Sequence, residues 1–181
     1  MAAFKLAVVG TYSSGKTTLV EGLLKHDSDL RLLPEHARKA ITVCGIDAIK
    51  SIETRDYLIV ANLLDEAEAD KQSEPAISDS GLINNLAHEA LFFNPPPDRT
   101  RLLTSYQHRM YDAVFLCDHT GVDLVDDGQR MPDNDLRLRL HDLVLDVLVR
   151  MNIAPLLLTG NPQVRLRAAL KTVDELRKAR I

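Results

Sequence analysis

The sequence predicts an α/β protein in which helices cover both faces of a parallel sheet, and two observations support this fold class. Short apolar runs alternate along the chain with longer amphipathic stretches, which is the pattern of strands joined by crossover helices. The polar stretch "GTYSSGKT" at 10–17 lies between the first apolar run and the first helical pattern. With 181 residues, the chain has about the length of one domain. We therefore expect a single domain over residues 1–181.

Five short apolar runs are the candidate strands of this sheet. They cover residues 4–9, 30–33, 75–79, 113–117 and 154–158. In open α/β sheets, ligands bind at the edge formed by the carboxyl ends of the parallel strands. The polar residues that follow these runs are therefore the candidates for a functional site.

Helical patterns fill the intervals between the strands. They cover residues 16–25, 35–43, 53–72, 82–91, 136–151 and 163–180. In the third pattern, one face carries the apolar residues that we expect to be buried, which are Tyr57, Ala61, Leu64 and Ala67. The other face carries mostly acids, namely Asp65, Glu66, Glu68 and Asp70. The fifth pattern has a single apolar stripe that should pack firmly on the sheet, made by Leu136, Leu140, Leu143, Val147 and Met151.

The composition is that of an ordinary soluble globular protein, with 45% hydrophobic and 27% charged residues. A net charge of -4 provides no broad field for a polyanion, so we expect small-molecule partners and no nucleic acid. The amino terminus has too short an apolar run for a signal peptide, and no stretch approaches a membrane span. We therefore expect a cytoplasmic protein without membrane contact. Whether the protein forms a homo-oligomer is left open by the sequence. Cys44 and Cys117 are expected to be reduced thiols in or near the core.

The stretch at 10–17 matches G-x-x-x-x-G-K-[ST], the phosphate-binding loop of P-loop NTPases. Its glycines let backbone N–H groups surround a phosphate, and the helix that follows adds its positive dipole. Lys16 should reach the β- and γ-phosphates of ATP from a largely solvent-facing position, and the Thr17 hydroxyl should bind Mg²⁺. The sequence thus predicts ATP and Mg²⁺ as cofactors, with the nucleotide bound by Gly10, Ser13, Ser14, Gly15, Lys16, Thr17 and Thr18.

Two polar residues follow the second candidate strand, in "LLPEHARKA". Glu35 and Arg38 are three residues apart at a helix start, so they project from one face beyond the sheet edge. A carboxylate there can take a proton from a substrate hydroxyl, and an arginine beside it can hold the substrate or a phosphate. The alternative is that Glu35 only favours the helix N-terminus through the dipole, with Arg38 exposed.

The third candidate strand ends in "AISDSG". Asp79 follows a small apolar run there, as the acidic residue of a Walker B element does, and it would hold Mg²⁺ directly or through water. The alternative role for Asp79 is an N-cap of the next helix.

Six stretches together resemble one family: "GTYSSGKTTL", "LPEHARKAI", "AISDSG", "YDAVFLCD", "VDDGQR" and "LLLTGNPQVRL". Their order and spacing are those of the NadR-like family of P-loop proteins, which contains the ribosylnicotinamide kinase domain of the bacterial NAD-biosynthesis regulator. The resemblance implies a nucleoside-kinase-like fold with a five-stranded parallel sheet. It also implies transfer of the ATP γ-phosphoryl group to a hydroxyl of a nucleoside-like acceptor, with Glu35 and Asp79 in the acidic positions.

The same resemblance assigns roles to two further segments. Residues 118–136 look like a lid over the phosphates, with Asp126, Asp127 and Arg130 at its turn. An arginine that closes from such a segment stabilises charge on the transferring phosphoryl group and excludes water. Arg137 and Arg139 are weaker candidates, since both suit a solvated helix start. Gly160-Asn161 resembles the family's adenine-side loop, although a plain turn would look the same.

The chain departs from the family where the riboside kinases carry an aromatic residue before the acidic pair of the lid. Here that place reads Asp123-Leu124-Val125, so nicotinamide riboside is a doubtful acceptor. The main alternative to a kinase is a regulatory or assembly P-loop ATPase that acts through a protein partner. A third alternative is a module that only senses ATP. Glu35 separates these functions, because a kinase needs a base beside an acceptor pocket.

Overall fold

The structure is a computed structural model that describes residues 4–99, 111–124 and 133–179. Its centre is a five-stranded parallel sheet in the order β2-β3-β1-β4-β5. The strands are β1 (Lys5–Val9), β2 (Arg31–Leu32), β3 (Ala76–Asp79), β4 (Ala113–Cys117) and β5 (Leu156–Leu158). All five predicted strands and the parallel sheet are therefore confirmed, and the last strand is shorter than the predicted run of 154–158.

The predicted helices are also present, and their ends differ from the predicted ones by one or two residues. They are α1 (Lys16–His26), α2 (His36–Cys44), α3 (Ile52–Lys71), α4 (Gly81–Phe92), α5 (Asn134–Arg150) and α6 (Pro162–Lys178). A short 3-10 helix at Ile46–Lys50, which the sequence pattern did not predict, joins α2 to α3. Side-chain caps fix three of the helix starts, because Ser51, Asp133 and Asn161 each accept hydrogen bonds from the first turn.

Helices cover both faces of the sheet, and β1 is buried along its whole length as a result. On one face, Ala7 and Val9 of β1 join a core cluster with apolar residues of α3, α4 and α5. On the other face, Leu6 and Val8 join a second cluster with residues of α1 and α6. The apolar stripe predicted on α5 is confirmed: Leu140, Val147 and Met151 are buried, and Leu136 and Leu143 pack against the cluster.

The predicted buried face of α3 is wrong. Tyr57 and Leu64 are 59% and 63% exposed. The helix instead buries a stripe that contains polar residues: Arg55, Leu58, Ile59, Asn62, Leu63, Glu66 and Ala69. Of these polar residues, Asn62 and Glu66 are buried with hydrogen-bond partners inside the protein. Residue type alone does not predict this face, because hydrogen-bond partners from other elements decide which polar side chains of α3 can be buried.

Glu66 shows how a carboxylate from the predicted solvent face is accommodated in the interior. It is 2% exposed, and it accepts a hydrogen bond from the hydroxyl of Tyr111. Lys5 donates to the Glu66 backbone carbonyl at 3.4 Å and forms an ion pair with Asp70 at 2.9 Å. Burial raises the pKa of Glu66 to about 7, although the Tyr111 hydrogen bond and Lys5 act in the opposite direction.

Two expectations drawn from composition concern the cysteines and the membrane. Cys117 is buried in β4 as expected, whereas Cys44 is exposed at the end of α2, so placing both thiols in or near the core was wrong. Free cysteine is usually buried, but α2 has no buried residue that could bring its last turn into the core. Among the described residues, no helix combines the length and the apolar character that crossing a bilayer requires.

The parallel sheet brings the candidate functional residues to one edge. The phosphate-binding loop follows β1, and Asp79 is the last residue of β3, which pairs with β1. Glu35 follows the neighbouring strand β2 by three residues. This is the edge at which ligands bind in open parallel sheets.

Candidate functional site

The loop between β1 and α1 has two positions that require glycine. Gly10 has a φ of +146°, and a Cβ there would lie 2.9 Å from the backbone oxygen of Cys117, closer than side-chain atoms pack. Gly15 precedes the first residue of α1 with a φ of +84°, a left-handed conformation that strains other residues. Close packing at Gly10 and backbone conformation at Gly15 therefore explain why the phosphate-binding motif has glycine at these two positions.

The side chain of Asn84, on α4, holds the start of this loop. Its Nδ2 donates to the Gly10 carbonyl at 2.7 Å, and its Oδ1 accepts from the Gly10 N–H at 3.3 Å. Asn84 is 2% exposed, so one buried amide satisfies both backbone groups of Gly10. The sequence did not indicate this role, because the two residues are 74 positions apart.

Two buried arginines hold the middle of the loop. Arg165 of α6 donates from Nη1 to the Ser14 carbonyl at 2.7 Å, and Arg137 of α5 donates from Nη2 to the Ser13 carbonyl at 3.4 Å. Arg137 Nη2 also contacts the carbonyls of residues 119 and 122, at 2.9 and 2.8 Å. Arg137 is therefore not the solvated side chain that one of the two sequence-based alternatives expected. Arg165 was missed, since an arginine in the first turn of an amphipathic helix gives no distinguishing signal.

Lys16 does not have the largely solvent-facing side chain that the sequence analysis expected. It is half-buried, and its Nζ donates to the carbonyl of Thr11 at 2.8 Å. A buried ammonium needs hydrogen-bond acceptors, and the loop carbonyl supplies one. The ammonium thus lies across the loop whose backbone is expected to surround a phosphate.

Thr17 and Asp79 are in direct contact at the end of β3. The Thr17 hydroxyl donates to Asp79 Oδ2 at 2.9 Å, and the Ser80 hydroxyl lies 3.3 Å from Oδ1. Asp79 is not an N-cap, because Ser80 occupies that position of α4 and no side chain caps it. The contact places a hydroxyl and a carboxylate side by side, and oxygen ligands of this kind are those that Mg²⁺ prefers.

Glu35 precedes the first residue of α2, but its side chain makes no capping hydrogen bond. Arg38 Nε lies 2.9 Å from Glu35 Oε2 instead. The pKa of Glu35 is raised, first by burial and then by the neighbouring Asp79 carboxylate, while Arg38 and Lys16 partly offset this shift. Glu35, Asp79 and Lys16 are therefore close enough to act on one another's charges.

These residues border a cleft with about 900 Å³ of space outside protein atoms, part of it open to solvent. One group of lining residues, which we call the phosphate end, comprises Lys16, Thr17, Glu35, Arg38 and Asp79. A second group, which we call the Arg55 end, comprises Tyr12, Arg55, Asn85 and His88. Apolar residues complete the wall, among them Ile41, Ile46, Ile49 and Leu140.

Two rings at the Arg55 end are neutral at physiological pH. Burial raises the pKa of Tyr12 to about 12. Burial and the charge of Arg55 lower the pKa of His88 to about 3. The rings pack edge to face with centroids 5.4 Å apart, and His88 Nδ1 lies 2.7 Å from the carbonyl of Asn84. Since a carbonyl only accepts, Nδ1 carries the proton.

Three further residues that the sequence analysis singled out, Thr18, Arg139 and Asn161, are not among the residues that line this cleft. Thr18 is exposed on α1, and Arg139 is exposed on α5. Asn161 is exposed too, and its side chain caps α6 by accepting from the N–H groups of residues 163 and 164. The predicted lid residues Asp126, Asp127 and Arg130 lie outside the described residues, as does everything from 125 to 132.

Comparisons with known proteins agree with this geometry at the level of family and fold. Residues 5–165 match the family model described as AAA domain. No curated protein matches the sequence.

Solved structures share the fold at low sequence identity. A structure of NadR protein in complex with NAD and AMP-PNP has 17% identity and a TM-score of 0.73, over 96% of this chain and 49% of that one. Thymidylate kinase from Candida albicans has 13% identity and a TM-score of 0.69, over 97% and 93%. Deoxyadenosine kinase from M. mycoides with bound dATP has 13% identity and a TM-score of 0.66, over 94% and 99%. The chain therefore has the fold of P-loop nucleoside and nucleotide kinases, and it spans about half the length of NadR.

Proposed function

This chain belongs to the AAA domain family, and from that premise we propose that it is a Mg-ATP-dependent kinase. It would transfer the γ-phosphoryl group to a hydroxyl of a small, nucleoside-like acceptor. One observation carries this proposal: the half-buried Glu35 carboxylate, held by Arg38, borders the same cleft as the phosphate-binding loop. A kinase needs a base beside an acceptor pocket, whereas a nucleotide switch does not need one.

The nucleotide half of the proposal rests on the loop after β1. Gly10 and Gly15 have the positive φ angles that let the loop backbone curl around a phosphate. Lys16 would exchange its bond to the Thr11 carbonyl for one to a phosphate oxygen, and Ser13, Ser14 and Thr18 complete the proposed binding set. Asn84, Arg137 and Arg165 position the loop from outside.

The metal half rests on Thr17 and Asp79. The 2.9 Å contact between their oxygens supports the proposal that one ion binds to both residues. When bound, Mg²⁺ neutralises charge on the phosphoryl oxygens. Asp79 would hold the ion directly or through water, and Thr17 would bind it through its hydroxyl.

Glu35 is the proposed general base for the acceptor hydroxyl. Its raised pKa makes the carboxylate a better proton acceptor than an exposed glutamate while Arg38 keeps it oriented. Arg38 and Asp127 are the proposed substrate contacts beside it. The same proposal includes a lid over residues 118–136, with Arg130 as its charge-stabilising residue. It also includes an adenine-side role for Asn161 and a cytoplasmic location.

The likeness to NadR, a deoxyadenosine kinase and a thymidylate kinase supports a nucleoside-like acceptor without naming it. The test is a screen of nucleosides and vitamins for acceptor-dependent ADP formation, with the phosphorylated product identified by mass spectrometry. We expect at least one acceptor to raise ADP formation above the acceptor-free rate, and Glu35→Gln to abolish that increase. Acceptor-independent ATP hydrolysis that Glu35→Gln leaves unchanged would instead support the P-loop ATPase alternative.

A further inference from the structure

Arg55, in the first turn of α3, is a buried cation on the wall of the cleft. Its side chain is 1% exposed. Its Nε donates to the carbonyl of Ile49 at 2.5 Å, and its guanidinium lies over the Phe92 ring, 5.1 Å from the centroid. These contacts fix the plane and position of the guanidinium, which gives it the rigidity of a recognition group.

The two terminal nitrogens of Arg55 are poorly satisfied by the protein. Nη1 lies 3.5 Å from Asn85 Oδ1, at the limit of a hydrogen bond. Nη2 is buried and has no hydrogen-bond partner in the described part of the chain. A buried donor on a charged group that lacks a partner is costly, so an acceptor atom supplied by a ligand would be strongly favoured there.

The positive charge of Arg55 is also uncompensated by close contact. Among residues 4–99, 111–124 and 133–179, no carboxylate forms an ion pair with it. Glu89 acts on its charge, but both Glu89 oxygens contact Arg99, at 3.1 and 2.5 Å. Burial lowers the pKa of Arg55 to about 10, which still leaves the group protonated at neutral pH.

Tyr12 supplies a second unused donor at the same end of the cleft. Its hydroxyl is buried and has no hydrogen-bond partner among the described residues. The phenol is protonated at neutral pH because burial raises its pKa to about 12. Two buried donors that line one cleft suit a group with two acceptor oxygens.

On the basis of the proposed kinase function, we propose that the acceptor carries a carboxylate, which is bound by Arg55 Nη2 and Tyr12 Oη at the Arg55 end of the cleft. A carboxylate fits better than a phosphate, because Arg55 is the one cation among the lining residues that define this end. The other described cations of the cleft, Lys16 and Arg38, contact Thr11 and Glu35 at the phosphate end. The acceptor hydroxyl would lie at Glu35, so the two ends orient one molecule.

The test uses two pairs of nucleosides that differ by a carboxylate: orotidine with uridine, and nicotinic acid riboside with nicotinamide riboside. Binding is measured by isothermal titration to the full chain saturated with Mg-ADP, so it does not depend on turnover. We expect the carboxylate member of each pair to bind about tenfold or more tightly, the range for a hydrogen bond to a charged group. Arg55→Met should remove that preference without changing Mg-ADP affinity, while Arg55→Lys keeps part of it. Arg167→Met, which removes an exposed arginine of α6, is the matched control.

The outcomes distinguish failure of the carboxylate site from failure of the proposed kinase function. No preference for the carboxylate member in the wild-type protein, including no binding of any probe, overturns this inference. A preference that survives in Arg55→Met also overturns it. If Arg55→Met does not fold, the wild-type pairs and Arg55→Lys still decide. A carboxylate preference with no acceptor-dependent ADP formation in the nucleoside and vitamin screen keeps the carboxylate site at Arg55 and refutes the kinase function. Phosphorylation of both members of a pair with equal kcat/KM supports the kinase function and overturns the carboxylate site.

Discussion

The Thr17 hydroxyl donates a hydrogen bond to Asp79 Oδ2 at 2.9 Å, across 62 positions of sequence. This contact joins the first turn of α1 to the last residue of β3, so the two proposed Mg²⁺ ligands are adjacent before any metal binds. Lys16 and Glu35 both act on the charges around it, because the pKa of Glu35 responds to Asp79 and to Lys16. The proposed metal, phosphate and base groups therefore form one electrostatic unit, and substitutions within it should have separable effects.

Lys16→Ala should abolish turnover and weaken Mg-ATP binding while the fold stays intact. The ammonium supplies the charge that the motif places on the β- and γ-phosphates. The hydrogen bond to Thr11 that the substitution removes from the folded protein is worth only about 1 kcal/mol. Equilibrium titration with Mg-ATP and a thermal melt measure the two effects. Lys25→Ala, at an exposed position of the same helix, is the control. A variant that binds Mg-ATP as tightly as the wild type and turns over normally would remove the central assignment.

Glu35→Gln should lower phosphoryl transfer by roughly 10²–10⁴-fold, the usual effect of removing a general base. Nucleotide affinity should be kept, because the proposed partner of Glu35 is the acceptor hydroxyl and its ion pair is with Arg38 rather than with a loop residue. The pKa of Glu35 is raised in the folded protein, so wild-type kcat/KM should fall as pH drops through a value above 4.5, where Glu35 becomes protonated. The variant should lack this acid limb. An unchanged pH profile in Glu35→Gln would assign the base to another residue.

Asp79→Asn should instead raise the Mg²⁺ concentration that is needed for half-maximal activity. The neutral amide weakens an oxygen site for a divalent ion but can still accept the Thr17 hydrogen bond. The measurement is activity as a function of Mg²⁺ at fixed ATP for the wild type, Asp79→Asn and Glu35→Gln. Equal changes in Mg²⁺ dependence in both variants would show that the two acids share the metal-binding role or that their roles are reversed.

The sheet, the helices and the position of the phosphate-binding loop could be predicted because they are local. Hydrophobic periodicity and a glycine-lysine pattern are properties of short segments. The strand order places Glu35 and Asp79 at one edge because parallel strands share a direction. The short helix at Ile46–Lys50 was not predicted, since five residues are too few for a periodic signal.

The contacts that position the loop could not be predicted, because they join residues far apart in sequence. Asn84, Arg137 and Arg165 reach the loop across 74, 124 and 151 positions. In the sequence, each is one polar residue among many on an amphipathic helix. Arg55 was missed for the same reason, because its burial depends on Ile49 and Phe92.

Glu66→Gln should stabilise the protein at pH 7 and above. Its folded-state pKa of about 7 lies above the ordinary 4.5, so the folded state binds its proton more tightly than the unfolded state. In the wild type, the stabilisation that the protonated Glu66 contributes is complete below pH 4.5 and is lost as pH rises through 7. The free energy of unfolding then falls by up to about 1.4 kcal/mol per pH unit. Glutamine keeps the acceptor for Tyr111 and does not titrate.

Urea unfolding from pH 4 to 8 measures this effect as the difference between Glu66→Gln and the wild type. The difference is needed because His88, with a pKa of about 3, makes both proteins less stable as pH falls below 6.5. This effect has the opposite pH dependence to that of Glu66 and cancels when the variant is compared with the wild type. The exposed Glu68→Gln on the same helix is the control. A difference that does not grow between pH 4.5 and 7 would show that Glu66 titrates normally.

Nicotinamide riboside should be a poor acceptor or none. A pyridinium gains roughly 0.5–2 kcal/mol from an aromatic face, about a factor of two to thirty in affinity. The resemblance of the sequence to the riboside kinases implies that Leu124 stands where they carry an aromatic. Two rings of the described chain are poorly suited to replace it, because Tyr57 is 59% exposed and the Phe92 ring already lies under the Arg55 guanidinium.

The charge of Arg55 adds a second reason, since a buried cation on the cleft wall repels a cationic ring. Leu124→Phe should improve kcat/KM for nicotinamide riboside by up to about thirtyfold and leave KM for Mg-ATP unchanged, because the ATP half of the site lies at the phosphate end. Leu138→Phe, at a surface position of α5 that is 44% exposed, is the control. A wild-type kcat/KM for nicotinamide riboside near about 10⁵ M⁻¹s⁻¹, inside the normal range for a true substrate, would contradict this prediction. Recognition of the pyridinium would then have to come from groups other than an aromatic at 124.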